Sequence, residues 1–440
     1  MPEPLESASG ERGGAPEGGG RSKLDRTSRE RRILLVDCDA FYVQVARLLD
    51  PDGAGGADLL IVGGSASGRG VVTSASYEAR AFGVRSAMPT AQALRLCPDA
   101  TVVPVPRRAC VQKSQEVRKV LVDLAPVVQA ASIDEFYLDL TGTERLFAGE
   151  SLGDTAHRIR DTILRCTEIS VSVGGGTRRM IAKIAAGKAK PAGVHIVPAG
   201  GELDFLRPLL LSELPGVGPS LVDGLRRRGL VRVEDALGVQ LEWLQEWFGI
   251  RRGAWLHRKV QGLDDSRVDP REARKSVSSE RTFFHDIDDD QELERRLLEL
   301  AGSVAGTVRR KGLQARTVTV KLRDGDFTTR QHSRTVPAGV QSDATVFEIA
   351  RQLLRELRDK RRVPARLLGV GLSGLGSDSR PEQLALFSDP APGQESERDR
   401  RISAAVDNVR ERYGRSAVIP GRILDRHSTE EPERGEDERS

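Results

Sequence analysis

Two short apolar runs, each joined to carboxylates, constrain this chain more than any other feature. The first is Ile33-Leu34-Leu35-Val36, followed at once by Asp37-Cys38-Asp39. The second is Phe136-Tyr137-Leu138, preceded by Ser132-Ile133-Asp134-Glu135, with Val127-Val128 just upstream. Such runs read as strands. Carboxylates at the ends of two strands can converge on one hard, oxygen-rich site. A site of that kind suits Mg²⁺ or Mn²⁺ and phosphoryl or nucleotidyl transfer. Neighbours on a regular strand point to opposite faces, so Asp134 and Glu135 share a site only where the backbone bends, which Ser132-Ile133 permits. Taken singly, each pair also has a plain reading as solvated turn residues. Asp39 reads as an N-cap for the helix that follows.

A chain of 440 residues holds more than one domain. No stretch of about 18 apolar residues occurs, so no membrane span is expected. The first thirty residues are rich in Gly, Glu and Ser and lack a basic start with an apolar core. They read as a disordered leader, 1–30, and not as a secretory signal. The four cysteines, Cys38, Cys97, Cys110 and Cys166, form no CxxC pair. That argues against a zinc site or a disulfide framework and for a reducing cytoplasm. A net charge of +4 does not by itself point to nucleic acid, and local basic stripes matter more.

Residues 31–200 alternate strand-like and helical runs, an α/β pattern. Strands are expected at 33–36, 59–62, 71–74, 101–105, 135–140, 169–173 and 194–197, and helices at 107–124, 152–167 and 177–186. Residues 201–266 read as compact and helical, turning at Pro215-Gly216-Val217-Gly218-Pro219. A polar linker, 267–275, precedes a second α/β unit, 276–376, in βαββαβ order. Its hairpin crosses Asp324-Gly325. One sheet face is expected to carry Thr317, Thr319, Lys321 and Arg323, continued by Thr328, Arg330 and His332. The tail, 377–440, is polar apart from an apolar island at 384–387 and a helix-like segment at 402–413.

Val36-Asp37-Cys38-Asp39-Ala40-Phe41-Tyr42 resembles the opening motif of the Y-family DNA polymerases, and Ser132-Ile133-Asp134-Glu135 resembles their second acidic motif. The segment from Ser76 to Val84 is similar to their fingers motif. Ala182-Lys183-Ile184-Ala185 and Lys190-Pro191-Ala192-Gly193 are similar to their late palm motif. Four motifs in order make the likeness specific. It runs from about residue 31 to 387 and is nearest the DinB or DNA polymerase IV branch.

The resemblance implies a multidomain α/β (α+β) right-hand polymerase. Palm and fingers would occupy 31–200, with fingers about 50–107. A thumb with a helix-hairpin-helix would occupy 201–266, and the little finger 276–376. Asp37, Asp134 and Glu135 would hold two Mg²⁺ ions, Mn²⁺ being able to substitute, with the backbone carbonyl of Cys38 as a further ligand. Tyr77, Arg80 and Lys190 would bind the incoming triphosphate. Arg forks onto phosphate, Lys supplies a point charge, and Tyr a hydroxyl donor. Tyr42 would be the steric gate against a 2′-hydroxyl.

DNA contacts would come from Gly216, Gly218 and Ser220 in the thumb and from Thr319, Lys321, Arg323 and Arg330 in the little finger. Gln383, Leu384, Leu386 and Phe387 match a bacterial sliding-clamp-binding motif, an apolar anchor in a polar tail. One departure is Ala46, where the family usually has Glu. The implied activity is template-directed, low-fidelity translesion synthesis without a proofreading nuclease. Its partners would be primer-template DNA, dNTPs and the sliding clamp. The protein would be a monomer of the cytoplasm, associated with the nucleoid. The rivals are a non-catalytic adaptor, marked by lost carboxylates, and a palm-domain nucleotidyl cyclase, marked by its own GG[DE]EF-type motif. Neither mark is present.

Overall fold

A computed structural model describes residues 30–146, 149–271, 274–377 and 395–421. They form two compact units. The first gathers the described residues up to Gly63 with Val72–Met88 and Ala93–Pro270. The second gathers Gly64–Val71, Pro89–Gln92 and those from Arg271 onward.

The strands of the first unit are β1 (Ile33–Cys38), β2 (Leu60–Gly63), β3 (Val72–Ala75), β4 (Thr101–Val103), β5 (Val127–Ala130), β6 (Glu135–Asp139), β7 (Val171–Gly176) and β8 (Val194–Ile196). Its first helices are α1 (Phe41–Leu49), α2 (Tyr77–Ala81), α3 (Thr90–Leu96, whose first three residues the second unit gathers), α4 (Arg107–Leu124), α5 (Leu152–Thr167) and α6 (Arg179–Ala189). The helical stretch after them holds α7 (Glu202–Leu206), α8 (Pro219–Arg226), α9 (Val233–Leu237), α10 (Leu241–Phe248) and α11 (Ile250–Val260).

A five-stranded sheet runs β5-β6-β1-β7-β8, with β1 antiparallel to both neighbours. All six residues of β1 are buried, because helices cover both faces. Alternation sorts them. Leu34 and Val36 pack with Val117 and Leu121 of α4 and with Ile159 and Ile163 of α5. Ile33 and Leu35 face the other way, onto Ala182 and Ala186 of α6. The close seat of α6 depends on Gly174, where a Cβ would lie 2.0 Å from the Ala186 nitrogen. A smaller sheet, β3-β2-β4, meets α2 at its central strand β2.

The second unit contains β9 (Ser276–Ile287), α12 (Asp290–Arg309), β10 (Leu313–Asp324), β11 (Thr329–Val340), α13 (Asp343–Lys360), β12 (Ala365–Ser373), β13 (Gly376–Ser377) and α14 (Glu397–Tyr413). The βαββαβ order is as expected; β13, which extends it, is not foreseen by the pattern. The antiparallel sheet runs β11-β10-β12-β9. Val318, Val320 and Leu322 bury one face under α12 and α13; among the described residues no helix covers the other. The helix-like tail segment is α14. It docks on this unit through Arg309, which pairs with Asp407 at 2.7 Å and Asp343 at 2.8 Å.

Candidate active site

Strand register brings the first two carboxylates together. Asp37 of β1 lies directly opposite Glu135 of β6, so both side chains leave the same sheet face. That face is the one covered by α6, by the alternation that places Leu35 there. Two lysines from that helix and its exit meet them. Lys190 Nζ is 2.6 Å from Asp37, and Lys183 Nζ donates to both oxygens of Glu135 at 2.7 and 2.5 Å. Asp134 sits one residue before β6, where its carbonyl accepts from the Cys38 amide at 2.9 Å. Its carboxylate accepts from the Ser132 hydroxyl, which in turn accepts from the Asp134 and Glu135 amides. The Ser132 hydroxyl thus shapes the turn by which the chain enters β6.

The electrostatics fit a cation site. Burial pushes the Asp37 carboxyl up against the pull of Lys190, and Glu135 and Asp134 push it further. Burial, then the carboxylates of Asp134, Asp37 and Asp39, hold the Cys38 thiol well above its usual range. Among the described residues no three His, Cys, Asp or Glu side chains are gathered as a ready metal cluster. The lysines neutralise Asp37 and Glu135 instead. The donor chemistry nevertheless suits a hard divalent ion: carboxylates crowded enough to oppose one another's charge.

Asp39 corrects the sequence reading. It is not the N-cap of α1. Ala40 holds that place in a left-handed conformation, φ 41°, without a side-chain cap bond. Asp39 is buried and accepts four bonds. They come from Tyr77 Oη at 3.2 Å, Ser170 Oγ at 3.0 Å, Ser172 Oγ at 2.7 Å and the Ala192 amide at 2.9 Å. It thereby ties α2, β7 and the loop after Lys190 to the end of β1. Alternating serines at 170 and 172 were its only trace in the sequence.

Tyr77 and Arg80 share α2, which Ser76 caps by accepting from the Ala79 amide. The Arg80 guanidinium stacks 4.9 Å from the Tyr77 ring centroid. Burial first, then Asp39, pushes the Tyr77 hydroxyl up to about 12, so it stays a donor at neutral pH. Tyr42, on the first turn of α1, is half-buried and meets Phe41 edge-on at 5.8 Å. Burial first, then the charge of Asp134, pushes its hydroxyl up.

In the helical stretch, Gly216, Gly218 and Ser220 line an open cavity of about 600 Å³ together with Arg251, Arg252 and Trp255. Gly216 is required twice, by φ +96° and by Trp255, whose ring would lie 2.7 Å from any Cβ. No local sequence signal marks Arg251 and Arg252, because their cavity joins segments about thirty residues apart.

On the second unit, Thr317, Thr319, Lys321 and Arg323 lie on the open sheet face. Arg330 does not. It pairs with Leu322, a buried residue, and so faces the helices. Its guanidinium is held by Asp324 at 2.8 Å. His332 likewise turns to Glu356 of α13 at 2.7 Å. The partner-strand residues on the open face are Thr329, Gln331, Ser333 and Thr335. Gln383, Leu384, Leu386 and Phe387, and the leader, lie outside the described residues.

Comparison with known proteins gives the family and the fold. The impB/mucB/samB family model matches residues 36–187, and its C-terminal domain model matches 274–386. A thumb-domain model of DNA polymerase-iota matches 212–264. DNA polymerase IV of Caulobacter vibrioides is 37% identical over 393 residues, covering 89% of this chain and 94% of that one. DNA polymerase IV of Halorhodospira halophila is 39% identical over 354 residues, covering 80% and 98%. A solved Y-family DNA polymerase chimera of Dbh and Dpo4 superposes with TM-score 0.71 at 27% identity, covering 79% of this chain and all of that one. An insertion ternary complex of Dbh DNA polymerase gives 0.57 at 27%, covering 78% and 98%. This chain belongs to the Y family of DNA polymerases, in the impB/mucB/samB group that includes DNA polymerase IV.

Proposed function

We propose that this protein extends a primer on a DNA template, including across damage, with Asp37, Asp134 and Glu135 as the ligands of two Mg²⁺ ions. The observation that carries this is the register pair Asp37–Glu135, with Asp134 at the adjoining bend. The Cys38 carbonyl is assigned as a further oxygen ligand, and Mn²⁺ as a substitute ion. When bound, the ions supply positive charge that favours the 3′-alkoxide and offsets the triphosphate.

The chain's own residues do the rest. Lys190, freed from Asp37, offers its ammonium to the triphosphate. Arg80 and Tyr77 add a guanidinium and a hydroxyl donor beside it. Asp39 holds Tyr77 and the loop after Lys190 in place. Lys183 holds the Glu135 carboxylate in its position. Tyr42 excludes a 2′-hydroxyl. The primer 3′-hydroxyl loses its proton to solvent as its oxygen attacks the α-phosphorus, the bond from that phosphorus to the bridging oxygen breaks, and pyrophosphate leaves.

Palm and fingers are assigned to 31–200 with fingers about 50–107, the thumb to 201–266, the linker to 267–275 and the little finger to 276–376. The Gly216–Ser220 cavity, with Arg251 and Arg252, is suited to a backbone phosphate of the primer-template. The motif at 383–387 assigns the sliding clamp as a partner, on sequence alone. The protein is assigned to the cytoplasmic nucleoid as a monomer. Among the described residues no helix is long and apolar enough to cross a membrane. The test is primer extension with Mg²⁺ and dNTPs on undamaged and abasic templates. Extension that Asp134→Ala abolishes supports the reading. Tight primer-template binding without extension would favour a non-catalytic adaptor.

A further inference from the structure

The open sheet face of the second unit carries an ion pair that spans three strands. One row across the sheet reads Gln331, Lys321, Gly369, Glu280. Lys321 and Glu280 are therefore separated by a whole strand, with their backbones roughly 10 Å apart. Lys321 Nζ nonetheless donates to both Glu280 oxygens, at 3.0 and 2.9 Å. The path exists because position 369 has no side chain. A Cβ there would lie 2.7 Å from Glu280 Cγ.

The neighbouring row is equally bare. Ser333 and Thr319 bond each other at 2.8 Å, followed by Gly371 and Ser278. The glycines of β12 leave a shallow trough, floored by backbone and edged by hydroxyls. Lys321 lies across it.

Stability does not account for this device. An exposed pair is worth about 0–1 kcal/mol, and a mid-strand glycine costs about as much. We infer that Glu280 is an internal stand-in for a DNA phosphate. It holds Lys321 neutralised across the trough until a backbone phosphate replaces it. The inference rests on the reading that this face takes the primer-template. Its consequence is a deliberately softened grip: each phosphate that reaches Lys321 must displace a carboxylate already there. A face held this way lets go readily as the duplex advances.

The test is a coupling measurement. Primer-template affinity is measured by fluorescence anisotropy over a range of salt for wild type, Glu280→Gln, Lys321→Met and the double variant. Glu280→Gln is expected to tighten binding about fivefold and to steepen the salt dependence by about one unit in log–log slope. Lys321→Met is expected to cost more in the Glu280→Gln background than in wild type. Equal cost of Lys321→Met in both backgrounds would overturn the inference, since Glu280 would then act only as diffuse charge. So would a Glu280→Gln variant with wild-type affinity and slope. Primer extension is run beside it. A wild type that extends primers yet shows no coupling loses only the latch, whereas one that binds no primer-template loses the polymerase reading and the latch with it.

Discussion

Replacing Asp39 with alanine removes one acceptor from four donors at once. Three of those donors are hydroxyls, of Tyr77, Ser170 and Ser172, and can rotate toward other acceptors or water. The fourth is the Ala192 amide, which is fixed by the backbone. A hydrogen bond to a charged group is worth about 1.5–3 kcal/mol, and an orphaned buried donor costs a similar amount. With the amide stranded and the hydroxyls partly re-satisfied, the loss comes to about 3–5 kcal/mol. In a unit of this size that lowers Tm by roughly 10 °C. Asp39→Asn keeps the shape and one acceptor oxygen, so its loss is smaller. Function should fail in a particular way. Tyr77 and the loop after Lys190 lose their common anchor, so KM for dNTP rises more than kcat falls. Thermal unfolding and steady-state single-nucleotide insertion measure both. An Asp39→Ala protein with Tm within about 2 °C of wild type and an unchanged KM would show that Asp39 anchors neither Tyr77 nor the loop after Lys190.

Tyr42→Ala should raise ribonucleotide insertion by on the order of tenfold or more, the discrimination one steric contact supplies; unchanged sugar selectivity in competition assays would remove Tyr42 from the gate. Asp264 gives a pH dependence. Burial works against its ionisation, but Ser266, Lys259 and the Met180 amide outweigh it and hold the carboxyl below its usual value. A depressed carboxyl stabilises the fold above its unfolded pKa of about 3.9, and that gain is lost as pH falls through the folded value. Asp264→Asn should therefore lower Tm at pH 7, with the gap to wild type closing below about pH 4; a gap constant with pH would show the charge is idle. Deleting 383–387 should abolish stimulation of extension by purified sliding clamp, and stimulation that survives would place that contact elsewhere.

What the sequence made legible was local. The carboxylates sat at strand ends in plain view, and the βαββαβ order followed from periodicity. Register was not legible, because it is set by partners distant in the chain. The motifs put Asp37 and Glu135 in one site through the family resemblance, but not as direct register partners beneath α6. Asp39 misled because an acid before a helix is the usual N-cap signal. Here Ala40 takes the left-handed turn, and the carboxylate is drawn inward by donors 38 to 153 residues away. Arg330 failed on parity. A strand displaced by one residue exchanges its two faces, and the loop length between Asp324 and Thr329 decides which. The clue was Val336, buried and of the same parity as Arg330. An apolar residue at that spacing marks the inward face.

The carboxylate cluster is tested most directly by single-turnover extension with Asp37→Ala, Asp134→Ala and Glu135→Ala, each beside its own primer-template Kd. Extension is expected to fall by about 10³-fold or more in every variant, the scale of a removed charge-stabilising group, with Kd changed only a few-fold. Any one variant that extends primers at near the wild-type rate would remove that carboxylate from the site, and retained extension in both Asp37→Ala and Glu135→Ala would mean that these carboxylates do not hold the catalytic ions.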